Sequence, residues 1–191
     1  MPKQHESVLE GEVIQNLNLL GGSLIVDGTL GDGGHTELLL KNTTSVRVLG
    51  IDRDMRAIER AEKRLAPFRD RITLVHGNFG DIKSILKKAN VMNVDGLLLD
   101  LGVSSPQLDL PDRGFSFMRN GPLDMRMDSS QKITAADLLI ELPDEKLVSV
   151  IKEYGEERFS KRIVRAIRQA QKQSAIKTTL QLSNIISSVI H

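Results

Sequence analysis

Short apolar runs alternate with segments of helical periodicity over the first hundred residues. The runs at residues 24–26, 46–51, 72–75 and 94–100 predict four strands. Apolar residues recur at helical spacing between them, and Asp54 and Pro67 mark the start and stop of one predicted helix. This alternation is typical of an α/β fold with a parallel sheet and right-handed crossovers. The fourth run is apolar enough that we expect it at the centre of the sheet.

The pattern changes after Leu101. Residues 101–128 have weak periodicity and many Gly, Pro, Ser and Asp residues, yet Phe115, Phe117 and Leu123 make them too apolar for a disordered segment. We therefore expect an ordered loop over an active site. Only helix signals follow this loop, so the chain is predicted to divide into an α/β core at 1–108 and a loop with a helical subdomain at 109–191.

Helix starts are indicated by residues that favour the N-cap position. These predicted caps are Ser7, Thr134 with Asp137 in a capping box, Asp144, and either Thr178 or Thr179. Each precedes apolar residues at helical spacing, which supports helices rather than isolated turns.

The composition excludes several kinds of site. The chain has no cysteine, which rules out disulfides and thiolate chemistry and fits a reducing compartment. Its four histidines show no metal-ligand spacing, so we expect no metal. No apolar run approaches membrane-spanning length and no leader peptide is evident, so we predict a cytoplasmic protein without a membrane partner. Aromatic residues make up only 3% of the chain and none is Trp, so any base-stacking surface must come mostly from Phe.

The near-neutral net charge conceals an uneven distribution. Residues 158–191 hold seven Lys or Arg and no acid, whereas residues 1–157 hold 19 Lys or Arg and all 25 acids. On a helix, Arg158, Arg162, Arg165 and Arg168 or Lys172 would form one stripe. A stripe of this kind favours contact with the phosphates of a polyanion over a merely solvated face.

A glycine-rich loop joins the first strand to the next helix. Gly31 begins a dinucleotide-binding pattern that fails at Thr36, and the P-loop spacing from Gly28 fails because Gly34 replaces the lysine. The loop instead fits acid-x-small-x-Gly-x-Gly, beginning at Asp27. That pattern resembles the first motif of S-adenosylmethionine-dependent methyltransferases, whose cofactor has no pyrophosphate, so an acidic loop facing its ammonium and sulfonium groups is tolerable.

Four groups are expected to converge at the carboxyl ends of the strands, where ligands of open parallel sheets bind. The glycine loop is the first. Asp52 ends the second strand, where it can accept hydrogen bonds from the two ribose hydroxyls. Phe79 either packs on the adenine or belongs to the core. Asp100 can bind the cationic amino-acid end of the cofactor. His35 lies at a helix start, where its backbone N–H can bind the cofactor carboxylate.

Longer motifs at residues 99–109, 112–117 and 121–128 carry a family resemblance. With residues 5–9, 27–36, 154–158 and 176–179, they resemble the bacterial 16S ribosomal RNA cytosine N4-methyltransferase family (MraW/RsmH type) along the whole chain. The resemblance implies a Rossmann-like, S-adenosylmethionine-dependent methyltransferase core and a substrate in 16S rRNA of the small ribosomal subunit. It also implies cofactor contacts at Gly33, Gly34, His35, Asp52, Phe79, Asp100 and Gln107.

Family members are longer than this chain. We therefore expect residues 1–191 to be an N-terminal part of such an enzyme, with a sheet that is incomplete at its C-terminal side and with doubtful activity on its own. The proton acceptor for the reacting amine stays open among Asp100, Ser104, Ser105, Asp109 and Asp124. Two alternatives remain: a remnant that binds cofactor or RNA without turnover and, disfavoured by Thr36, a nicotinamide-dependent oxidoreductase.

Overall fold

The computed structural model describes residues 9–17, 19 and 21–190. The chain forms two compact units, Met1–Gly102 and Val103–His191. The boundary thus lies between residues 102 and 103, where the sequence suggested one between 108 and 109. Ser7 and the remainder of the motif at residues 5–8 lie outside the described residues.

The first unit is built on a parallel sheet. Its strands are β1 (Leu24–Asp27), β2 (Arg47–Asp52), β3 (Ile72–His76) and β4 (Gly96–Leu98). They are arranged in the order β3-β2-β1-β4 and every pair is parallel. The predicted α/β, Rossmann-like fold is confirmed by this order, because consecutive parallel strands must be joined by crossovers through helices.

Helices connect these strands. They are α1 (Glu10–Asn16), α2 (Gly34–Asn42), α3 (Met55–Arg64) and α4 (Ile82–Lys88), with 3₁₀ turns at Ala66–Arg71 and Phe79–Asp81. Asp54 is the N-cap of α3, where its Oδ1 accepts the Arg56 N–H at 3.1 Å, as predicted. The helices pack on a core that includes Ile25, Leu39, Leu40 and Leu65.

The fourth strand differs from its prediction. We expected residues 94–100 at the centre of the sheet, but β4 is three residues long and lies at an edge of the sheet formed by the described residues. Just before β4, the Asp95 N–H donates to the Leu24 carbonyl at 2.9 Å, and the Asp95 side chain accepts the Leu24 N–H at 2.8 Å. At the other end, the Asp100 N–H donates to the Thr29 hydroxyl instead of to a strand. Leu97 and Leu99 are consequently 47% and 39% exposed.

The second unit contains a loop and helices. The helices are α5 (Ser105–Asp109), α6 (Ala135–Glu141), α7 (Asp144–Glu153), α8 (Ser160–Gln171) and α9 (Thr179–Ser187), with a 3₁₀ turn at Pro111–Arg113. Leu123, Leu139, Ile163 and Ile167 lie in their common core. Among the described residues, no helix combines the length and the apolar character needed to cross a membrane.

Two of the caps predicted in this unit are confirmed and one is wrong. Thr134 and Asp137 form a capping box at α6, and the Thr178 hydroxyl accepts the Gln181 N–H at the start of α9. Asp144, however, is the first helical residue of α7, and Pro143 occupies the N-cap position. The Asp144 carboxylate instead accepts the Arg168 Nε–H at 2.6 Å.

A buried arginine organises the long loop. Arg113 is 5% exposed, and its Nη2 donates to the carbonyl oxygens of Arg126 and Met127, both at 3.0 Å. A buried guanidinium needs acceptors, and these carbonyls supply them. Arg113 thereby connects the two halves of the loop.

Candidate functional site

The strand order creates a crevice beside β1. The chain runs outward from β1 through β2 to β3 and then returns to place β4 on the opposite side of β1. The connection from β1 therefore runs to one side of β1, and the connection from β3 runs back to the other side, so the strand order reverses beside β1. Ligands of open α/β sheets bind at such a switch point.

The loop after β1 is hydrogen-bonded to both neighbouring strands. The Gly28 N–H donates to the Leu98 carbonyl of β4 at 2.9 Å, and the Leu30 N–H donates to the Ile51 carbonyl of β2 at 3.0 Å. The next donor, the Gly31 N–H, reaches the Asp52 Oδ2 at 2.7 Å. These three bonds fix the loop across the crevice.

Two glycines of this loop have steric reasons to be glycine. A Cβ at Gly28 would lie 2.6 Å from Leu99 Cδ2 and 3.2 Å from the Cβ of Phe79. The close approach places Phe79, which follows β3, beside the loop. Gly33 has a φ of +79°, and its Cβ would lie 3.0 Å from Leu65 Cδ1, so both its backbone and its surroundings favour glycine.

Asp52 is oriented by backbone donors. One carboxylate oxygen accepts the Gly31 N–H and the other accepts the Asp54 N–H at 2.8 Å. Burial raises the pKa of Asp52 above its usual value, and the two backbone hydrogen bonds oppose that rise. The carboxylate is thus held in one orientation at the end of β2, which is what acceptance of two hydroxyls by its two oxygens requires.

Asp27 has a different role from the expected one. The sequence placed it in an acidic loop facing a cationic ligand, but it is only 1% exposed. Its Oδ2 accepts the Thr36 hydroxyl at 2.7 Å and its Oδ1 accepts the Thr29 N–H at 3.3 Å. Burial raises the pKa of the Asp27 carboxyl to about 6. Asp27 therefore connects β1 to α2 from within the core.

Asp100 is exposed, and its position is set through its backbone. The Asp100 N–H donates to the Thr29 hydroxyl at 2.6 Å, so the residue after β4 is bound to the loop after β1. The structural roles of Thr29 and Thr36 were missed from the sequence. A signal for Thr36 was present in the sequence, because it occupies the position where the dinucleotide pattern requires glycine. A threonine at that position can donate its hydroxyl to the Asp27 carboxylate.

The start of α2 completes this edge of the first unit. Gly33 is the N-cap of α2, and Gly34, His35 and Thr36 form its first turn. The first N–H groups of a helix have no acceptor within it, so they can point towards an anion. Asp32, the remaining acid of the loop, is paired with Arg60 at 2.8 Å. The first unit thus brings together Gly33, Gly34, His35, Asp52, Phe79 and Asp100.

Gln107 and most candidate proton acceptors belong to the second unit. Gln107 is buried in α5, and its Oε1 accepts the Ser104 N–H at 3.0 Å, so it has a local structural role. Ser105 begins α5 and Asp109 ends it. Asp124 is paired with Arg126, whose hydrogen bonds hold the pKa of that carboxyl below its usual value. Asp124 is therefore poorly suited to accept a proton. The cofactor role of Gln107 stays a prediction.

A basic groove lies between α7 and α8. It encloses about 280 Å³ and is lined by Asp144, Val148, Lys161, Val164, Arg165, Arg168, Gln169 and Lys172. Arg168 does not belong to the predicted stripe of available cations, because its guanidinium donates to Asp144 and to the carbonyls of Leu139 and Leu142. Lys161, Arg165 and Lys172 are exposed, and no ion pair involves them within the described part of the chain.

Two further arginines, at and just before the start of α8, lie over an aromatic ring. The guanidinium carbons of Arg158 and Arg162 lie 4.6 Å and 5.3 Å from the centroid of the Phe159 ring. Stacking on an aromatic face restricts a long side chain while its charge remains available. No cluster of three or more His, Cys, Asp or Glu side chains that could hold a metal occurs among the residues described.

Comparisons with known proteins match nearly the whole chain to one family of methylases. A family model, that of the MraW methylase family, matches residues 2–191. Ribosomal RNA small subunit methyltransferase H of Syntrophotalea carbinolica is 46% identical over 188 residues, which cover 98% of this chain and 60% of that protein. The protein of the same name from Sorangium cellulosum is 50% identical over 184 residues, covering 96% of this chain and 58% of its own length. The chain thus spans about 60% of the length of these relatives.

Solved structures give weaker matches. The C-terminal domain of precorrin-6Y C5,15-methyltransferase from Rhodobacter capsulatus has a TM-score of 0.41 and 19% identity, covering 57% of this chain and 56% of that one. A SAM-dependent O-methyltransferase from Thermotoga maritima has a TM-score of 0.37 and 19% identity, covering 42% of this chain and 32% of that one. At these scores, the fold assignment comes from the strand order and not from the neighbours.

The buried Asp27 makes a prediction about stability and pH. Its pKa is about 6 in the folded chain and about 3.9 in an unfolded one. The folded state therefore binds the proton more tightly, so the contribution to stability is complete below about pH 4 and is lost as the pH rises through about 6. Two pKa units correspond to about 3 kcal/mol. Asp27→Asn cannot ionise, so its stability relative to wild type should rise by about that amount between about pH 4 and 7.

Urea unfolding of both proteins across this pH range measures the difference. Asp70→Asn, at an exposed position, is the matched control for the same change of side chain outside the core. A constant difference between Asp27→Asn and wild type would show that Asp27 does not titrate as described.

Proposed function

The chain belongs to the MraW methylase family, and from that premise we propose that it acts in S-adenosylmethionine-dependent methylation of the exocyclic N4 amine of a cytidine in 16S rRNA of the small ribosomal subunit. The observation that carries the proposal is the glycine loop held between β2 and β4, with Asp52 and Asp100 at its two sides. An rRNA substrate also agrees with the cytoplasmic location expected from the sequence.

The residues at this edge fit the cofactor. Each Asp52 oxygen accepts one backbone N–H, and a carboxylate can accept about four hydrogen bonds in all. Asp52 therefore retains acceptor capacity for two ribose hydroxyls. Phe79 is half-buried beside Gly28 and offers a face for adenine. Asp100 is exposed and suits the ammonium group, while the N–H groups of Gly33, Gly34 and His35 suit the carboxylate.

In this methyl transfer, the main task of the protein is to position the reacting groups. The bound cofactor supplies a methyl group that is already activated on sulfur. The protein has to hold the amine in line with that methyl group and exclude water, because a displacement of about 1 Å can cost on the order of a hundredfold in rate. The lone pair of a cytosine amine is delocalised, so an acceptor for its proton would help. Asp100, Ser104, Ser105 and Asp109 remain the candidates, since Asp124 is neutralised by Arg126.

Label transfer tests the proposed function. The chain is incubated with cofactor carrying a radioactive methyl group and with small subunits that lack the modification, and the RNA is then digested to nucleosides. Radioactive N4-methylcytidine is the expected product. Binding of cofactor and RNA without transfer would instead favour the alternative of a remnant without turnover. Absence of cofactor binding would contradict both.

The cofactor contact at Asp52 gives a second prediction. Asp52→Asn should weaken S-adenosylmethionine binding about 10- to 100-fold, because a hydrogen bond to a charged group contributes about 1.5–3 kcal/mol. Isothermal calorimetry measures the affinity. The control is Asp54→Asn, two residues away, since asparagine is an equally good N-cap. It should bind as wild type does.

A cofactor analogue without the ribose 2′-hydroxyl separates direct contact from an effect on the loop. If Asp52 binds the ribose, the analogue should bind the variant and the wild type more nearly alike than the true cofactor does. An equal loss for both ligands would limit Asp52 to holding the Gly31 N–H.

The basic groove gives the prediction for RNA. Changing Lys161, Arg165 and Lys172 together to Gln should weaken binding of single-stranded RNA and lower the slope of log affinity against log salt by roughly 0.7 for each phosphate that the variant no longer binds. The matched control changes Lys83, Lys87 and Lys88 of the first unit to Gln, which removes the same charge. Binding titrations at several salt concentrations measure the slopes. Equal slopes for the two triple variants would show that the groove does not contact phosphates.

A further inference from the structure

One turn of the long loop exposes two large apolar side chains. Phe117 is 68% exposed and Met118 is 83% exposed, whereas their neighbours Phe115 and Ser116 are half-buried and buried. The chain has only five Phe residues and no Trp. One of the few aromatic residues of the chain is thus exposed to solvent beside an exposed Met. No catalytic or cofactor role described above explains this exposure.

The backbone of this turn is held from both sides. The Arg119 N–H donates to the Ser116 hydroxyl at 3.2 Å, which closes the turn. The Arg119 carbonyl accepts the Thr179 hydroxyl of α9 at 3.3 Å, and the Arg119 guanidinium donates to the Asp109 carbonyl. Phe117 and Met118 are therefore presented from a fixed backbone, and little further ordering is needed when a ligand binds.

The base of the loop is equally constrained. A Cβ on Gly121 would lie 1.8 Å from the Pro111 carbonyl oxygen, so the two ends of the 111–121 segment are in close contact. The neighbouring Leu123 N–H donates to the Lys177 carbonyl at 2.8 Å, which attaches the segment to the residues just before α9. The turn and its base are thus attached to the rest of the second unit by backbone contacts.

We propose that Phe117, supported by Met118, is a stacking platform for an unpaired nucleobase of the RNA. The proposal rests on the proposed function, which supplies RNA as the partner. Every base has a flat π-face, and single-stranded nucleic acids are bound by stacking on exposed aromatic side chains next to cations. The occupant is a base in the RNA around the target.

The chemistry of the turn favours a nucleobase over a protein partner. Phe117 and Met118 are the two most exposed apolar side chains of residues 103–128, ahead of Leu108, Leu110 and Met125, and the most exposed of them that has a flat ring is Phe117. Two cations accompany them: Arg119 lies in the turn itself, and Lys177 lies in the segment bonded to Leu123. An apolar face with adjacent cations matches a base and its phosphate.

The absence of tryptophan allows a direct test on the whole chain. Phe117→Trp introduces a single indole, whose emission is quenched when a base stacks on it. Single-stranded RNA should quench the emission along the binding curve, and a duplex of the same charge should not, because its bases are already stacked. Met92→Trp is the matched control at another exposed position, 91% exposed in the first unit. Its emission should stay unchanged.

A second variant measures the contribution to affinity. Phe117→Leu keeps an apolar side chain without a flat face and should weaken single-strand binding about tenfold. The salt slope should stay that of the wild type, since stacking releases no counterions. Because the side chain is exposed, the urea unfolding midpoint should not change.

The outcomes separate this proposal from the proposed function. If RNA binds Phe117→Trp with its normal salt slope but leaves the indole emission unchanged, or if Phe117→Leu binds as wild type, the stacking platform is wrong and the RNA substrate is retained. Equal quenching by single strands and duplexes would also overturn stacking. If the wild type binds no RNA, both proposals fail.

Discussion

The structure of the first unit depends on how the loop after β1 satisfies its backbone donors. The N–H groups of Gly28, Leu30 and Gly31 are bonded to β4, to β2 and to the Asp52 carboxylate. Buried N–H groups need acceptors, and meeting this need across two strands holds the crevice at a defined width. The position of Asp100 follows from the same loop, because Thr29 binds its backbone. The candidate cofactor residues are thus arranged by the backbone before any ligand arrives.

Local patterns in the sequence were enough to predict most helices and strands and to identify the residues at the carboxyl ends of the strands. Strand ends and glycine spacing placed Asp52, Phe79 and Asp100 together, because parallel strands end on one side. The sequence could not show what depends on distant partners. Asp144 has the character of an N-cap but binds Arg168, which lies 24 residues away. Asp27 resembles a ligand-facing acid but is buried against Thr36. The end of β4 likewise depends on a distant partner, because the Asp100 N–H donates to the Thr29 hydroxyl.

Arginine has two distinct uses in the second unit. Arg113, Arg126 and Arg168 donate to backbone carbonyls or carboxylates within the fold. Arg158 and Arg162 instead stack on Phe159 at the surface. A guanidinium suits both roles because its five donors form a planar fork and its face stacks on rings. A count of basic residues therefore overstates the charge available to a partner, and lysines such as Lys161 and Lys172 make up more of the groove than the sequence indicated.

Side-chain hydrogen bonds attach both ends of helix α2 to other elements of the first unit. Near its start, the Thr36 hydroxyl binds the Asp27 carboxylate inside the sheet. At its end, the guanidinium of Arg71 donates to the carbonyls of Leu40 and Thr43 at 2.8 Å and 2.6 Å. Helices usually open by fraying from their ends, where few bonds have to break. With both ends anchored to other elements, the amide protons of α2 exchange with solvent mainly when β1 and the Arg71 turn separate as well. The helix that begins the candidate cofactor site thus belongs to the slowly exchanging part of the first unit.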